Sequence, residues 1–353
     1  RGLGDVYKRQ VFKVITLAMG VDSGLANINT TFTCAGAYGV AKETYHCAGH
    51  KAHGTITLAE ALRQSCNIYY IQLGQRVGSQ TFYNYFDAFG FTSRTGVDLP
   101  SETGFMQYYK ANQLGEVQLA SSAFGQAMAI TPLQMCTAVA AAVNGGYLVT
   151  PHVVDKITDA NGNVIEEIGA NVRRQVISES TSNVIRQIME YEVGAGTGGG
   201  KYAYVSGYRI GGKSGTSEQL NMDRRADGDY KKVASFAAVL PANDPEILVY
   251  VMLDDPNNAR TDYSSILAAP VVGNIISEIA PYLGIATDGV DRSGTTVKVP
   301  NLTGKEWSNA QVQLNIKGLK HHLAESESDQ TAALVTYLSL IHISEPTRLR
   351  CIS

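Results

Sequence analysis

The chain has 353 residues, of which 44% are hydrophobic, enough for one large domain or two smaller ones. Its net charge is −3, without the basic excess that a nucleic-acid partner demands, so no nucleic acid is expected. No apolar run reads as long enough to span a membrane, Val233–Leu240 being strand length, and the chain itself reads as soluble. The elements in chain order begin with a helix over Val11–Met19, where Val11, Val14, Ile15 and Ala18 share a face. Residues 21–55 read as loop. Thr57-Leu-Ala-Glu60 is a capping box opening a helix that breaks at Ser65-Cys66-Asn67 and resumes over Ile68–Leu73. A long helical region, Leu119–Asn144, is interrupted at Thr131-Pro132 and stopped by Asn144-Gly145-Gly146.

Two short strands around the turn Asp159–Gly162 fill Tyr147–Ile168, and a helix follows over Ser180–Glu192. Tyr202–Ser217 reads as mainly strand. Val233–Leu240 and Glu246–Leu253 read as two more strands, and Ser264–Leu283 as a helix punctuated by Pro270 and Pro281. Helices on both sides of antiparallel strands predict an α+β layered fold. Residues 287–295 are polar, without periodicity, and read as a linker. Beyond it Thr303-Gly-Lys-Glu306 is a second capping box, Trp307, Ala310 and Leu314 share a helical face, and Gly318 is the expected stop. Residues 1–10 (RGLGDVYKRQ) and 338–353 (LSLIHISEPTRLRCIS) break the pattern of their neighbours and resemble translated library-adapter sequence. Both are expected to be non-native tails outside the fold, with position 10 overwritten and the native chain starting near Val11.

Five cysteines, Cys34, Cys47, Cys66, Cys136 and Cys351, are too few for a disulfide scaffold. Cys34 and Cys47 lie in a glycine-rich loop with His46, His50 and His53. Free thiols, a loop disulfide and zinc are all open there. Zinc is the minority reading because the spacing fits no standard finger, and no metal ligands or cofactor are assigned.

Three motifs carry chemistry. Lys213-Ser-Gly-Thr216 reads as a strand on which Gly215 lets a peptide lie close, Ser214 and Thr216 offer hydroxyls, and Lys213 offers charge for a carboxylate. A lysine on a strand edge is commonly only a guard against aggregation, but Gly211-Gly212 and Thr216-Ser217-Glu218 make that reading less apt here. Ser65-x-Asn67 taken alone is an ordinary helix break. Lys13 taken alone is a surface charge; one helical turn after a hydroxyl it is a general base, because a helix N-terminus disfavours its charge. Here the residue one turn earlier is Gln10, which has no nucleophilic oxygen. Gly194-Ala-Gly-Thr-Gly-Gly199 follows a helix and precedes a strand, the reverse of a dinucleotide loop, and reads as a mobile loop beside the Lys213 strand.

In this order, these segments resemble the transpeptidase domain of class B penicillin-binding proteins, of the Gram-positive division and sporulation type. Leu99–Gly104, Phe124–Gln126, Thr131–Met135, Asn144–Gly146, Asp254–Pro256 and Pro270–Gly273 extend the resemblance across 11–286. The resemblance implies a serine β-lactamase-like fold, an antiparallel sheet flanked by helices plus an all-helical subdomain. It implies a peptidoglycan D,D-transpeptidase that works through a serine acyl-enzyme, is acylated by β-lactams and needs no cofactor. Lys13, Ser65, Asn67 and Lys213 become catalytic residues, Ser65 relaying a proton to the leaving amine and Asn67 holding the substrate amide. Ser214, Gly215 and Thr216 bind substrate, and the Thr216 N–H is half of the oxyanion hole. Residues 296–337, through Val299-Pro-Asn-Leu302, Gly304 and Gly318-Leu319, resemble part of a PASTA module, expected to be poorly stabilised. The implied partners are stem peptides, β-lactams, a membrane glycosyltransferase and division or sporulation proteins, at the outer face of a membrane anchored by a preceding helix. Two other functions compete: a serine β-lactamase, which lacks a recognisable deacylating glutamate here, and a non-catalytic penicillin or peptidoglycan sensor, which Gln10 favours.

Overall fold

The computed structural model describes residues 10–104, 106–194, 198–218, 230–256, 264–287, 301–316, 320–323, 337–341 and 348–352. A 3-10 turn, Gln10–Phe12, leads into α1 (Lys13–Asp22). Then come β1 (Thr31–Cys34), β2 (Ala37–Val40), β3 (Glu43–His46), β4 (Gly54–Thr57), α2 (Leu58–Arg63), α3 (Asn67–Val77) and α4 (Ser79–Ala88). α5 (Glu116–Ala123), α6 (Pro132–Val143), β5 (Tyr147–Thr150), β6 (Lys156–Thr158), β7 (Val164–Glu167), β8 (Asn171–Gln175) and α7 (Glu179–Gly194) follow. β9 (Gly211–Glu218), β10 (Lys232–Leu240), β11 (Ile247–Asp254) and α8 (Ser264–Tyr282) complete the main body. Beyond them lie α9 (Trp307–Ile316), β12 (Lys320–Leu323), β13 (Tyr337–Ile341) and β14 (Arg348–Ile352).

The central sheet is antiparallel in the order β11-β10-β9. β10 is apolar at nearly every position because both its faces are covered. Phe236, Ala238 and Leu240 pack with Ala268, Ala269, Val272 and Ile276 of α8. Ala237 and Val239 point the other way, into a helical core built on α1, α3 and α6. The sheet is thus a layer between α8 and a helical body, as the α+β reading expects. α8 has the length and hydropathy of a membrane span, contrary to the sequence reading. Its buried residues face this core instead.

α1 is not amphipathic: every residue from Lys13 to Gly20 is buried. A helix covered on all sides carries Lys13 into the interior. The Thr57–Glu60 capping box forms, with Glu60 N–H to Thr57 Oγ1 at 3.4 Å and Thr57 N–H to Glu60 Oε2 at 2.8 Å. The break at Ser65–Asn67 is real; Ser65 takes φ +51°, a left-handed conformation that L-residues adopt at a cost.

Several expectations need correction. Residues 21–55 hold four strands, β1 paired with β4 and β2 with β3. Each has only four residues, too few for alternation to show, and β1 finds its partner only across the intervening hairpin. Tyr202–Ser217 is not mainly strand: Gly199–Ala203 forms a 3-10 turn and β9 starts at Gly211. The helix break near Thr131 is longer than read, α5 ending at Ala123 and α6 starting at Pro132. β5 and β8 form a further pair beside the β6–β7 hairpin. In the last unit the Thr303 box does not cap a helix, because Gly304 turns at φ +78° and α9 begins only at Trp307. Trp307, Ala310 and Leu314 are each buried, as their shared helical face leads one to expect. β13 and β14 pair with each other, and β14 pairs with β12. Gly318 and residues 288–300 lie outside the described residues.

The stop at Asn144–Gly146 depends on glycine. Gly146 has φ +94°, and a Cβ there would lie 1.9 Å from the Ile177 carbonyl oxygen. Gly146→Ala is expected to destabilise the protein by at least about 2 kcal/mol, read as a lower urea midpoint at unchanged slope.

Candidate active site

The site lies where the start of α1, the α2–α3 junction and β9 meet. Lys13 is fully buried, and its ammonium nitrogen donates to three oxygens. These are the Ser65 carbonyl at 2.8 Å, Ser65 Oγ at 2.9 Å and Asn67 Oδ1 at 2.7 Å. Asn67 donates in turn from Nδ2 to the His46 carbonyl at 3.0 Å. The left-handed Ser65 is what turns both its oxygens toward one nitrogen. Burial, with the Lys213 charge nearby, lowers the Lys13 pKa from its ordinary 10.5 to about 7; the Cys66 and Cys47 thiols oppose the shift. An amine in that range exchanges protons near neutrality.

β9 lies against the other side of the α1 start. A Cβ at Gly215 would sit 2.8 Å from the Val11 nitrogen, so the missing side chain lets the 3-10 turn press onto the strand. This places the backbone of position 10 beside β9 and one turn before Lys13. Lys213 is also fully buried, its Nζ donating to the Ser214 carbonyl at 2.8 Å and to Ser214 Oγ at 3.1 Å. Ser235 Oγ donates to the Gly215 carbonyl at 3.0 Å. Thr216 Oγ1 donates to Ser264 Oγ at 2.9 Å and accepts the Ser264 N–H at 3.1 Å, which ties β9 to the first turn of α8. The Thr216 hydroxyl is therefore engaged by α8, and Ser214 and Thr216 both keep partial exposure.

One feature escaped the sequence reading, and a second was read only in part. Glu192 of α7 is wholly buried, and neither of its oxygens has a hydrogen-bond partner of good geometry among the described residues. A Cβ at Gly200 would lie 1.8 Å from Glu192 Oε2, and one at Gly199 would lie 3.3 Å from Ser214 Oγ. The glycine turn thus fills the space between this carboxyl and β9, the neighbourhood expected for the loop; residues 195–197 lie outside the described residues. Burial raises the Glu192 pKa to about 7, against the pull of the Lys213 charge. Lys213 is lowered by burial, and Glu192 opposes that. Amphipathic periodicity alone had marked α7 as an ordinary helix, so a carboxylate on its inner face gave no local signal.

The second feature is a cluster. Cys34, Cys47, His53 and Cys66 bring their donor atoms within 4.8 Å of one another. Cys66 had been read only as the middle of Ser65-x-Asn67. His46 and His50 pair with each other, ring centroids 4.2 Å apart, and are not members of the group.

The penicillin-binding protein transpeptidase domain model matches residues 11–277, from the α1 start through the sheet and most of α8. The chain belongs to that family. Within the family, stage V sporulation protein D of Bacillus subtilis is 34% identical over 318 residues, covering 86% of this chain and 48% of that protein. The probable peptidoglycan D,D-transpeptidase FtsI of Caulobacter vibrioides is 32% identical, covering 81% of this chain and 48% of that protein. The chain spans about half the length of those relatives. Penicillin-binding protein 3 of Mycobacterium tuberculosis, in a crystal structure with ampicillin, is 26% identical with a TM-score of 0.71. That match covers 82% of this chain and 65% of that one. The transpeptidase domain of Burkholderia pseudomallei penicillin-binding protein 3 shares the fold at 21% identity and a TM-score of 0.70, covering 81% and 82%. The fold is the penicillin-binding, serine β-lactamase-like α+β fold.

Proposed function

We propose that residues 11–286 are the catalytic domain of a peptidoglycan D,D-transpeptidase whose nucleophile position is residue 10. The observation that carries this reading is the Lys13 nitrogen, buried and bonded at once to Ser65 and Asn67 beside β9. A serine at position 10 would pass its proton to neutral Lys13 and attack the penultimate D-alanine carbonyl of a stem peptide. Its oxygen forms an ester as the peptide C–N bond breaks, and terminal D-alanine leaves with a proton relayed through Ser65. An amine of a second stem then takes the acyl group and frees the serine. Asn67 holds the donor amide. Lys213 and Ser214 hold its carboxylate, and the Thr216 N–H serves the oxyanion. With Gln10 in place the chain recognises such ligands without forming the ester, so for this sequence binding without acylation is the matching reading.

Gln10→Ser protein incubated with a D-Ala-D-Ala-terminated peptide and a D-amino acid acceptor is expected to release D-alanine, measured with a D-amino acid oxidase. No release from a folded variant overturns the assignment. We also propose that the parent acts at the outer face of the cell membrane, with a glycosyltransferase and division or sporulation proteins as partners. Its resemblance to sporulation and division relatives supports this. The unit from Asn301 onward, in which Leu302, Trp307, Ala310 and Leu314 are buried, is proposed as part of a PASTA module joined by the linker at 287–295.

A further inference from the structure

Four side chains beside the proposed catalytic turn have no part in the transpeptidase chemistry. Cys34 ends β1, Cys47 follows β3, His53 precedes β4 and Cys66 caps α3. Cys47 Sγ lies 3.6 Å from both Cys34 Sγ and Cys66 Sγ, and Cys34 Sγ lies 3.4 Å from His53 Nδ1. Zinc–sulfur bonds of about 2.3 Å and zinc–nitrogen bonds of about 2.0 Å set tetrahedral edges near 3.8 Å between sulfurs and near 3.5 Å between sulfur and nitrogen. The observed separations match those edges and far exceed a sulfur–sulfur bond of about 2.05 Å. One disulfide would also leave a third buried thiol and an imidazole crowded against it.

We propose that Cys34, Cys47, His53 and Cys66 form a closed tetrahedral zinc site that fixes the Ser65–Asn67 turn. Three thiolates and an imidazole select a borderline-soft cation, and this donor set is a structural zinc set with no open position. The three cysteines are almost wholly buried, at 1%, 3% and 0% exposure, so they gain little from solvent as free thiols. The surroundings suit bound thiolates. Cys66 sits at the N-terminus of α3, where Sγ accepts the Tyr69 N–H at 3.4 Å.

The site has a mechanical consequence for the turn. The ligands come from two strand pairs and one helix start. Cys66 lies between Ser65, whose backbone is left-handed, and Asn67, whose amide is held by the His46 carbonyl next to Cys47. A metal bound to Cys47 and Cys66 therefore grips the turn from within and fixes the three oxygens that meet Lys13. That last step rests on the transpeptidase reading; the binding of zinc does not.

The test uses the full chain purified under reducing conditions with Zn2+ as the only added metal. Elemental analysis is expected to find about one zinc per chain after desalting. Chelation should lower the melting temperature by at least about 5 °C, and Zn2+ should restore it. Co2+ added to chelated protein should give the visible bands of a tetrahedral thiolate site, bleached by Zn2+. Cys66→Ser and His53→Ala should each bind zinc at least tenfold more weakly, whereas Cys136→Ser should be unchanged. Should the ligand variants not fold, the Co2+ titration of the original chain decides. Zinc near background with no cobalt bands overturns the proposal. So does a Cys34–Cys47 or Cys47–Cys66 disulfide, seen in the peptide map of protein purified with zinc and without reductant. If Gln10→Ser protein binds zinc yet fails to release D-alanine, the transpeptidase reading falls and the metal site stands.

Discussion

Gln10→Ser is expected to convert a chain that gives no mass increase with a labelled penicillin into one that gains one adduct per molecule. The amide of glutamine has no nucleophilic oxygen with a removable proton, whereas the surroundings of position 10 are in place. Its backbone lies in the 3-10 turn pressed on Gly215, one turn ahead of a lysine whose pKa is about 7. Intact-mass spectra of both forms measure this directly. An adduct on the Gln10 form, or none on a folded Gln10→Ser form, overturns it. In the Gln10→Ser background, Lys13→Ala is expected to slow acylation by about 10³-fold, the usual contribution of a positioned general base.

The same lysine sets the pH dependence. Only neutral Lys13 accepts the hydroxyl proton, and its folded pKa of about 7 lies below the ordinary 10.5. Acylation of the Gln10→Ser form should therefore rise from pH 5 through an inflection near 7 and level off above it. Stopped-flow acylation across that range checks it, and an inflection near 10 would remove Lys13 as the base. Stability has the same sign. The unfolded chain holds the Lys13 proton more tightly than the folded one between pH 7 and 10.5, so this group favours the folded state more as pH rises through that window.

The motif geometry was legible because each motif is local and stereotyped. Lys213-Ser-Gly-Thr216 needs only its own residues to be read, and the Thr57–Glu60 box announced the helix that leads to Ser65. What could not be read depends on partners far along the chain. β1 becomes a strand by pairing with β4. Glu192 becomes a buried charge only when α7 packs behind β9. Cys66 was hidden by its own motif, and its companions are separated by strands that the sequence shows as loop. The full burial of α1 was also invisible locally, since Lys13 and Thr16 break the apolar run; Thr16 is satisfied by the Ala123 carbonyl at 2.8 Å.

Lys213→Ala in the Gln10→Ser background is expected to lose both acylation and stability, and a second substitution separates the two. Removing the ammonium takes away the charge-assisted bond to the ligand carboxylate, worth a factor of about 10–100 in acylation efficiency. It also leaves Glu192 buried without the nearby charge that favours its carboxylate form, which costs stability at neutral pH. Burial already raises the folded-state pKa of Glu192 from 4.5 to about 7. A carboxyl with a raised pKa costs nothing while protonated and costs more as pH climbs past its unfolded value. The stability loss of Lys213→Ala should accordingly shrink as pH falls from 8 toward 4.5. Adding Glu192→Gln should recover most of that stability at pH 8 without restoring acylation. Glu192→Gln alone keeps Lys213 but removes the charge that opposes its lowered pKa. Its acylation should then fall, and fall more at pH 8 than at pH 6, because the buried ammonium loses its proton more readily as pH rises. Urea unfolding and acylation rates at both pH values measure the set. If the double variant regains acylation, Lys213 does not hold the carboxylate; if Glu192→Gln alone leaves the pH profile unmoved, the two residues do not share a charge.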